Sequence, residues 1–238
     1  MGSERLPGKT MQVLDGKPML WHLISRLRQC KYLDEIVVAT AVSQENDEIE
    51  SFCAVEAVPC FRGPEDDVLG RMVESLRAHH ADTGVVVYGD NPLVDPVIVD
   101  EHILLFRNKT GFDWIGNDLK TTFPPGMEVE VFSYSALLDS EKRAKDPLIR
   151  EHGTLFIRQH STLYKLFNVE AEGARRRPEI HLGVDTPIDA EVLEAIIKHF
   201  SGETYFSLEE IIWFVDGHSS LLEKNRNISR RWRKYRTS

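Results

Sequence analysis

Two aspartates follow short apolar runs that are typical of strands in a parallel sheet. Asp90 lies in YGDNP after residues 84–88, and Asp185 lies in VDTP after residues 180–184. Ligands of an open parallel sheet bind beyond the carboxyl ends of its strands. Two carboxylates at such ends can share one Mg²⁺, which prefers one or two carboxylates together with phosphate oxygens and water. The pair therefore predicts a magnesium site.

Each aspartate also has a purely structural explanation. Asp185 or Thr186 could cap the helix that is expected to begin at Pro187, because short oxygen-bearing side chains accept bonds from the first amides of a helix. Asp90 could instead close an Asx turn. The sequence leaves these alternatives open.

A third candidate is the basic turn RLPGK at residues 5–9. Arg5 and Lys9 flank a Pro-Gly pair, so their charges can converge on one anion, and the amides of Gly8 and Lys9 can join them. Hydrogen bonds to charged groups contribute roughly 1.5–3 kcal/mol each, which is enough for such a turn to hold a triphosphate. The Walker pattern GxxxxGK[ST] is absent from the sequence, and a solvated basic loop is the alternative.

Composition limits the classes of partner. The chain has 238 residues and a net charge of −9, and seven of its 29 basic residues lie after residue 223, where no acid occurs. The remainder is strongly acidic and repels nucleic acid, so phosphate must be held by a few aimed cations. No stretch reaches the roughly 18 apolar residues that span a membrane. With no visible signal peptide and three unpatterned cysteines, the sequence predicts a cytoplasmic protein without nucleic-acid or membrane partners.

The elements that must position these groups follow from hydrophobic periodicity. Strand-like runs alternate with helical periods, which predicts an α/β fold with a doubly wound, mostly parallel sheet and helices on both faces. The expected strands are 35–40, 58–62, 84–88, 127–132 and 180–184, and the expected helices are 18–29, 44–55, 66–80, 96–108, 187–200 and 207–215. We expect one domain over 1–202, followed by a C-terminal helix and basic tail over 203–238.

Six segments, in this order, carry a resemblance. They are MGSERLPGKTM (1–11), RGPEDDVLGR (62–71), GDNPLVDP (89–96), FPPGMEVEVF (123–132), DPLIREH (146–152) and GVDTP (183–187). Together they resemble the cytidylyltransferase family, which includes the synthetases of CMP-sialic acid and CMP-KDO. They are most similar to its SpsF-type branch of spore-coat polysaccharide biosynthesis proteins.

The resemblance implies a Rossmann-like nucleotide-diphospho-sugar transferase fold and a role for each of several site residues. It implies transfer of CMP from CTP to an acylneuraminate-like or related sugar, with release of pyrophosphate, for surface polysaccharide biosynthesis. The implied catalytic residues are Arg5, Lys9 and Asp90; the nucleotide-binding residues are Arg5, Gly8, Lys9 and Arg71; the substrate-binding residues are Glu128 and Glu130; and the Mg²⁺ ligands are Asp90 and Asp185. The related synthetases are commonly dimers, which implies a homodimer here.

One departure concerns the start of the chain. The family has a buried, central first strand ahead of the segment that here begins at Met1, and its end anchors the basic turn. We therefore expect the first strand to be missing. Either the chain begins further upstream, or the protein has lost part of the surface that binds the nucleotide. The second case motivates an alternative function, a non-catalytic nucleotide- or sugar-binding relative in glycan assembly. Asn91, Gly153, Gly183 and Ile188 also depart from the family pattern, which bears on the identity of the substrate.

Two features at the C-terminal end bear on partners. The tail from residue 225 could touch a membrane surface or nucleic acid, or simply remain solvated. Trp213 and Phe214, in a short apolar helix, could form a dimer contact or belong to the core.

Overall fold

The computed structural model describes residues 8–203 and 205–230. Arg5 and most of the basic tail therefore lie outside the described residues. The strands are β1 (Val13–Leu14), β2 (Lys17–Pro18), β3 (Val38–Ala41), β4 (Cys60–Gly63), β5 (Thr83–Val86), β6 (Trp114–Gly116), β7 (Glu130–Ser133) and β8 (Leu166–Asn168). The helices are α1 (Met19–Leu27), α2 (Asp47–Val55), α3 (Val68–Ala78), α4 (Pro96–Asn108), α5 (Tyr134–Arg143), α6 (Pro147–Arg150), α7 (Leu155–Gln159), α8 (Pro187–His199), α9 (Leu208–Asp216) and α10 (Ser219–Asn225).

The α/β fold class is confirmed, and the sheet is mixed. β3 and β4 pair in parallel, whereas the other main sheet has the order β5-β7-β6-β8, with β7 antiparallel to both of its neighbours. The expectation of a mostly parallel sheet therefore differs from the structure at β7. The cause is the connection from β6 to β7, residues 117–129, which contains no helix. Parallel neighbours need a long crossover, usually helical, and without one the chain turns back to pair antiparallel.

Helices cover both faces of the main sheet. Val129 and Val131 point into the larger apolar cluster, which α1, α4, α8 and α9 line, while Phe132 points into a smaller cluster with Trp114 and Leu137. This alternation follows from the two-residue period of a strand. Each face of β7 thus has its own core, as expected of a sheet between two helical layers.

The last helices also pack onto the body of the protein. Phe214 of α9 is buried in the larger cluster, whereas the neighbouring Trp213 is 75% exposed. Of the two alternatives for this pair, Phe214 is therefore core, and Trp213 remains on the surface. Within the described ranges, 8–203 and 205–230, we find no helix with the length and apolar character to cross a bilayer.

A cleft separates β3 from β5. β3 bonds to β4 through alternate residues, including Val38 N to Pro59 O (2.9 Å), which turns the backbone of Val37 and Ala39 toward the cleft. The cleft has a volume of about 500 Å³. Among the residues that the structure describes, no strand pairs with the edge of β3 or the edge of β5 that faces this cleft. In the fold that the resemblance implies, a central strand would lie between these two edges, and the absence of the first strand stays a prediction.

Candidate active site

Lys9, the last residue of the basic turn, reaches the loop that follows β5. Gly8 has a φ of 68°, a left-handed conformation that costs glycine little, and Lys9 begins a 3-10 turn directly after it. Lys9 Nζ donates to Asp90 Oδ2 (2.7 Å) and to Val184 O (3.1 Å). Lys9 therefore links the turn to the Asp90 loop and to the segment that bears Asp185.

The Asp185 segment lies against the Asp90 loop. Val184 N donates to Asp90 O (2.9 Å), and Leu182 N donates to Pro125 O (2.6 Å). Residues 180–184 were expected to form a strand, but they bond one by one to two different loops and join no ladder. The segment nevertheless brings the backbone of Val184, next to Asp185, into contact with Asp90, although Asp90 and Asp185 are 95 positions apart in the chain.

The pair suits a hard divalent cation. The side chain of Asp90 is 32% exposed and that of Asp185 is 19% exposed, so solvent reaches both carboxylates. In the described part of the chain, no three His, Cys, Asp or Glu side chains form a closed metal site. Two carboxylates without a closed cage fit Mg²⁺, which takes its remaining ligands from phosphate and water. Asp90 and Asp185 therefore fit Mg²⁺, and their role as its ligands stays a prediction.

The helix cap at this position is Thr186. Thr186 Oγ1 accepts from Asp189 N (3.3 Å), while Asp189 Oδ2 accepts from Thr186 N (2.9 Å), which makes a reciprocal capping box at the start of α8. The capping explanation is therefore confirmed for Thr186, and Asp185 is not the cap. Capping is done by its neighbour.

A buried ion pair that sequence reasoning missed supports this cap. Arg230 donates from Nη1 to Asp189 Oδ2 (2.8 Å) and from Nη2 to Asp189 Oδ1 (2.7 Å), and Asn225 Nδ2 donates to the same Oδ1 (3.0 Å). Burial alone would raise the pKa of Asp189, but the hydrogen bonds and charge of Arg230 hold this pKa at about 2. Arg230 belongs to a run of basic residues that predicts a solvated tail, so nothing local in the sequence signals its burial.

His181 is a second residue that the sequence did not single out. Burial, followed by the charge of Arg230, lowers the pKa of this imidazole to about 4. Neither ring nitrogen has a hydrogen-bond partner among the described residues. A Cβ at Gly183 would lie 3.1 Å from Asn91 Oδ1 and 3.6 Å from His181 Nε2. The absence of a side chain at Gly183 therefore leaves room between these two polar groups.

Glu128 and Glu130 lie on one face, as their alternation predicts, but at different depths. Glu128 Oε2 accepts from Asn91 Nδ2 (3.0 Å) and from Gly126 N (2.8 Å), which places Glu128 beside the Asp90 loop. Glu130 is fully buried, and burial raises its pKa.

The contacts of Glu130 are internal, and its binding of substrate stays a prediction. Glu130 Oε1 accepts from the hydroxyl of Tyr88 (2.9 Å), and Oε2 accepts from Trp114 Nε1 (2.8 Å) and from the Thr154 hydroxyl. With no exposed surface and three donors around it, Glu130 supports Tyr88, two residues before Asp90. The physical reason is that Glu130 lies within β7, between neighbouring strands, whereas Glu128 precedes that strand.

Arg71 lies apart from these groups. Its guanidinium donates from Nη1 to Pro64 O (2.6 Å), the carbonyl of the loop before α3. In the described residues, no hydrogen bond connects Arg71 with Lys9 or Asp90. Contact of Arg71 with a nucleotide stays a prediction.

Comparison with known proteins places the chain in a family. The family described as cytidylyltransferase matches residues 1–226. The spore coat polysaccharide biosynthesis protein SpsF of Bacillus subtilis is 33% identical, over 89% of both chains. A solved cytidylyltransferase from Leptospira borgpetersenii superposes with a TM-score of 0.89 at 28% identity, covering 97% of this chain and 94% of that one. A CMP:2-keto-3-deoxy-manno-octonic acid synthetase complexed with CTP shares the fold, with a TM-score of 0.62 at 19% identity over 83% and 95% of the two chains.

Proposed function

The chain belongs to the cytidylyltransferase family and is a nucleotidyltransferase, and we propose that it transfers CMP from CTP to a sugar, with release of pyrophosphate. The observation that carries this proposal is the contact of Lys9 Nζ with both Asp90 Oδ2 and Val184 O. It joins a cationic turn to the two segments that bear the candidate metal carboxylates. A triphosphate needs this combination of cations and metal-binding acids.

The reaction that we propose is a displacement at the α-phosphorus. A sugar hydroxyl releases its proton to solvent and forms a bond to the α-phosphorus of CTP, while the bond from that phosphorus to the bridging oxygen breaks and pyrophosphate leaves. Such chemistry depends mainly on positioning and on neutralising charge. Lys9, with Arg5, would stabilise the charge of the leaving pyrophosphate. We assign no general base.

Asp90 and Asp185 would hold the Mg²⁺. When bound, the ion would neutralise and polarise the phosphate oxygens. The support for this assignment is the donor set, two partly exposed carboxylates on adjoining segments. Lys9, bonded to Asp90 at 2.7 Å, keeps the first carboxylate in place at the end of β5.

The sugar would lie beside the Asp90 loop. Glu128 is close to that loop, and Gly183 leaves space between Asn91 and His181. We propose an acylneuraminate-like or related sugar, consumed in the synthesis of a surface polysaccharide, because the relative SpsF is a spore coat polysaccharide biosynthesis protein. A cytoplasmic location and a homodimer belong to the same proposal.

The experiment is a substrate panel with pyrophosphate as the readout. CTP and Mg²⁺ are supplied with N-acetylneuraminate, 3-deoxy-manno-octulosonate or its 8-amino analogue, and ATP, GTP and UTP serve as nucleotide controls. We expect pyrophosphate only with CTP, only with an accepted sugar, and not after chelation of the metal.

One observation favours the second candidate, a non-catalytic nucleotide- or sugar-binding relative. The cleft of about 500 Å³ between β3 and β5 leaves the strand edges that face it without a partner in the described part of the chain. Calorimetry separates the two candidates. CTP binding that strengthens with Mg²⁺ supports the transferase, whereas no CTP binding, or binding indifferent to Mg²⁺, supports the non-catalytic relative.

A further inference from the structure

Arg230 returns from the C-terminal segment to the candidate active site. It follows α10 by five residues, and its side chain is 3% exposed, although it belongs to the most basic stretch of the chain. The guanidinium makes a two-bond fork on Asp189 and also donates to the carbonyl of Asn225 (3.1 Å). A buried arginine with this many partners is fixed in place.

Asp189, held by Arg230, in turn binds the backbone of the segment that carries Asp185. Its Oδ2 accepts from the backbone amide of Asp185 (3.1 Å) and from the amide and hydroxyl of Thr186 (2.9 and 2.8 Å). Asp189 itself is fully buried. A buried carboxylate is tolerated only with a charge partner and satisfied hydrogen bonds, and here Arg230 is that partner.

Direct contact between Arg230 and Asp185 is much weaker. Arg230 Nη1 lies 3.5 Å from Asp185 Oδ2, compared with 2.7 and 2.8 Å for its bonds to Asp189. The guanidinium therefore acts on Asp185 mainly through Asp189 and the backbone.

We propose that Arg230 is a positioning residue for the divalent cation: through Asp189 it fixes the backbone of Asp185 and Thr186, and with it the Asp185 carboxylate. This inference rests on the proposed function, because it assumes that Asp185 binds the cation. It makes the segment after α10 part of the active site, a role that the amino-acid pattern of a basic tail does not suggest.

Two variants and a matched control test the inference. Arg230→Met removes the charge and the fork, while Arg230→Lys keeps the charge and loses the two-bond geometry. Arg226→Met is the control, because Arg226 lies in the same segment and, among the residues that the structure describes, forms an ion pair with exposed Glu223 (3.1 Å). The Lys variant keeps the test informative if the Met variant does not fold.

The first readout is hydrogen exchange, which needs no activity. We expect the amides of Asp185 and Thr186 to exchange at least about tenfold faster in Arg230→Met than in the unaltered chain, since local opening sets these rates. Arg226→Met should leave both amides unchanged. Unchanged exchange in both Arg230 variants would overturn the inference.

The second readout is Mn²⁺ binding in the presence of CTP, measured by calorimetry. Loss of a group that supports a metal ligand typically weakens metal binding 10–100-fold, so we expect the Kd for Mn²⁺ to rise at least about tenfold in Arg230→Met and less in Arg230→Lys. A role limited to overall stability would lower Tm without this change. Variants that bind Mn²⁺ as tightly as the unaltered chain, or more tightly, would overturn the inference alone. No Mn²⁺ binding by the unaltered chain would overturn the proposed function as well.

Discussion

The loops of Asp90 and Asp185 share a sequence pattern and differ in how the fold holds them. Both place an aspartate after an apolar run and before a turn with proline. The Asp90 side chain is partly exposed and has a salt bridge to Lys9, which is itself partly exposed. The Asp185 loop instead rests on Asp189 and Arg230, which form a buried ion pair. The difference suggests that one carboxylate is held by a contact that a ligand can rearrange, and the other by a rigid support.

The largest expected effect comes from breaking that support. Asp189→Asn leaves the buried guanidinium of Arg230 without a full charge partner. Removing one member of a buried ion pair costs about 3–5 kcal/mol of the free energy of unfolding. Urea unfolding measures this loss.

Asp216→Asn is the matched control for Asp189→Asn. Asp216 also accepts two bonds from one arginine, Arg177 (2.7 and 2.8 Å), but on the surface. An exposed pair contributes only about 0–1 kcal/mol, so the control should remain close to the unaltered chain. Equal losses in the two variants would show that the buried support of Asp185 is no stronger than a surface pair.

The second effect is on turnover. Asp90→Asn keeps the size of the side chain and removes its charge, so we expect pyrophosphate release to fall roughly 10²-fold or more. Because the Lys9–Asp90 pair is partly exposed, the free energy of unfolding should change by less than about 1 kcal/mol. Asp66→Asn, at an exposed acid of the loop before α3, is the control for turnover. Unchanged turnover in Asp90→Asn would remove Asp90 from the mechanism.

The third effect is a loss of folding stability in acid, caused by His181 close to the Asp185 loop. Burial lowers the pKa of His181 to about 4, compared with 6.5 for an exposed histidine. Between these values the unfolded chain binds the proton and the folded chain does not, so stability is lost as the pH falls from 6.5 toward 4. At pH 5 the loss is about 2 kcal/mol for one such group.

His102 provides the comparison for this effect. Burial lowers its pKa to about 4 as well, so the two histidines together should reduce the free energy of unfolding by about 4 kcal/mol between pH 7 and pH 5. His181→Asn should lose about 2 kcal/mol over the same interval, as measured by urea unfolding at both pH values. An identical pH dependence in the variant and the unaltered chain would show that His181 is not held neutral.

The sequence predicts the local parts of this architecture better than the remote ones. Periodicity predicts six of the ten helices that the structure describes, and apolar runs followed by turns single out Asp90 and Asp185, because both signals lie within a few neighbouring residues. Of these two runs, only the one before Asp90 contains a strand in the structure. The pairing of Asp189 with Arg230 joins groups 41 positions apart, and no local pattern encodes it. The depth of Glu130 was missed for a related reason. Alternation assigns its face correctly, but burial depends on which strands flank β7.

The smallest expected effect separates capping from metal binding within the Asp185 loop. Thr186 caps α8, and replacing a capping threonine by alanine typically costs about 1 kcal/mol of stability. Thr186→Ala removes the hydroxyl but keeps the backbone amides of Asp185 and Thr186 bonded to Asp189. We therefore expect a loss of about 1 kcal/mol in urea unfolding, with less than a threefold change in the Kd for Mn²⁺ in the presence of CTP. If Mn²⁺ binding weakened as much as in Arg230→Met, the cap rather than the buried ion pair would determine the position of Asp185.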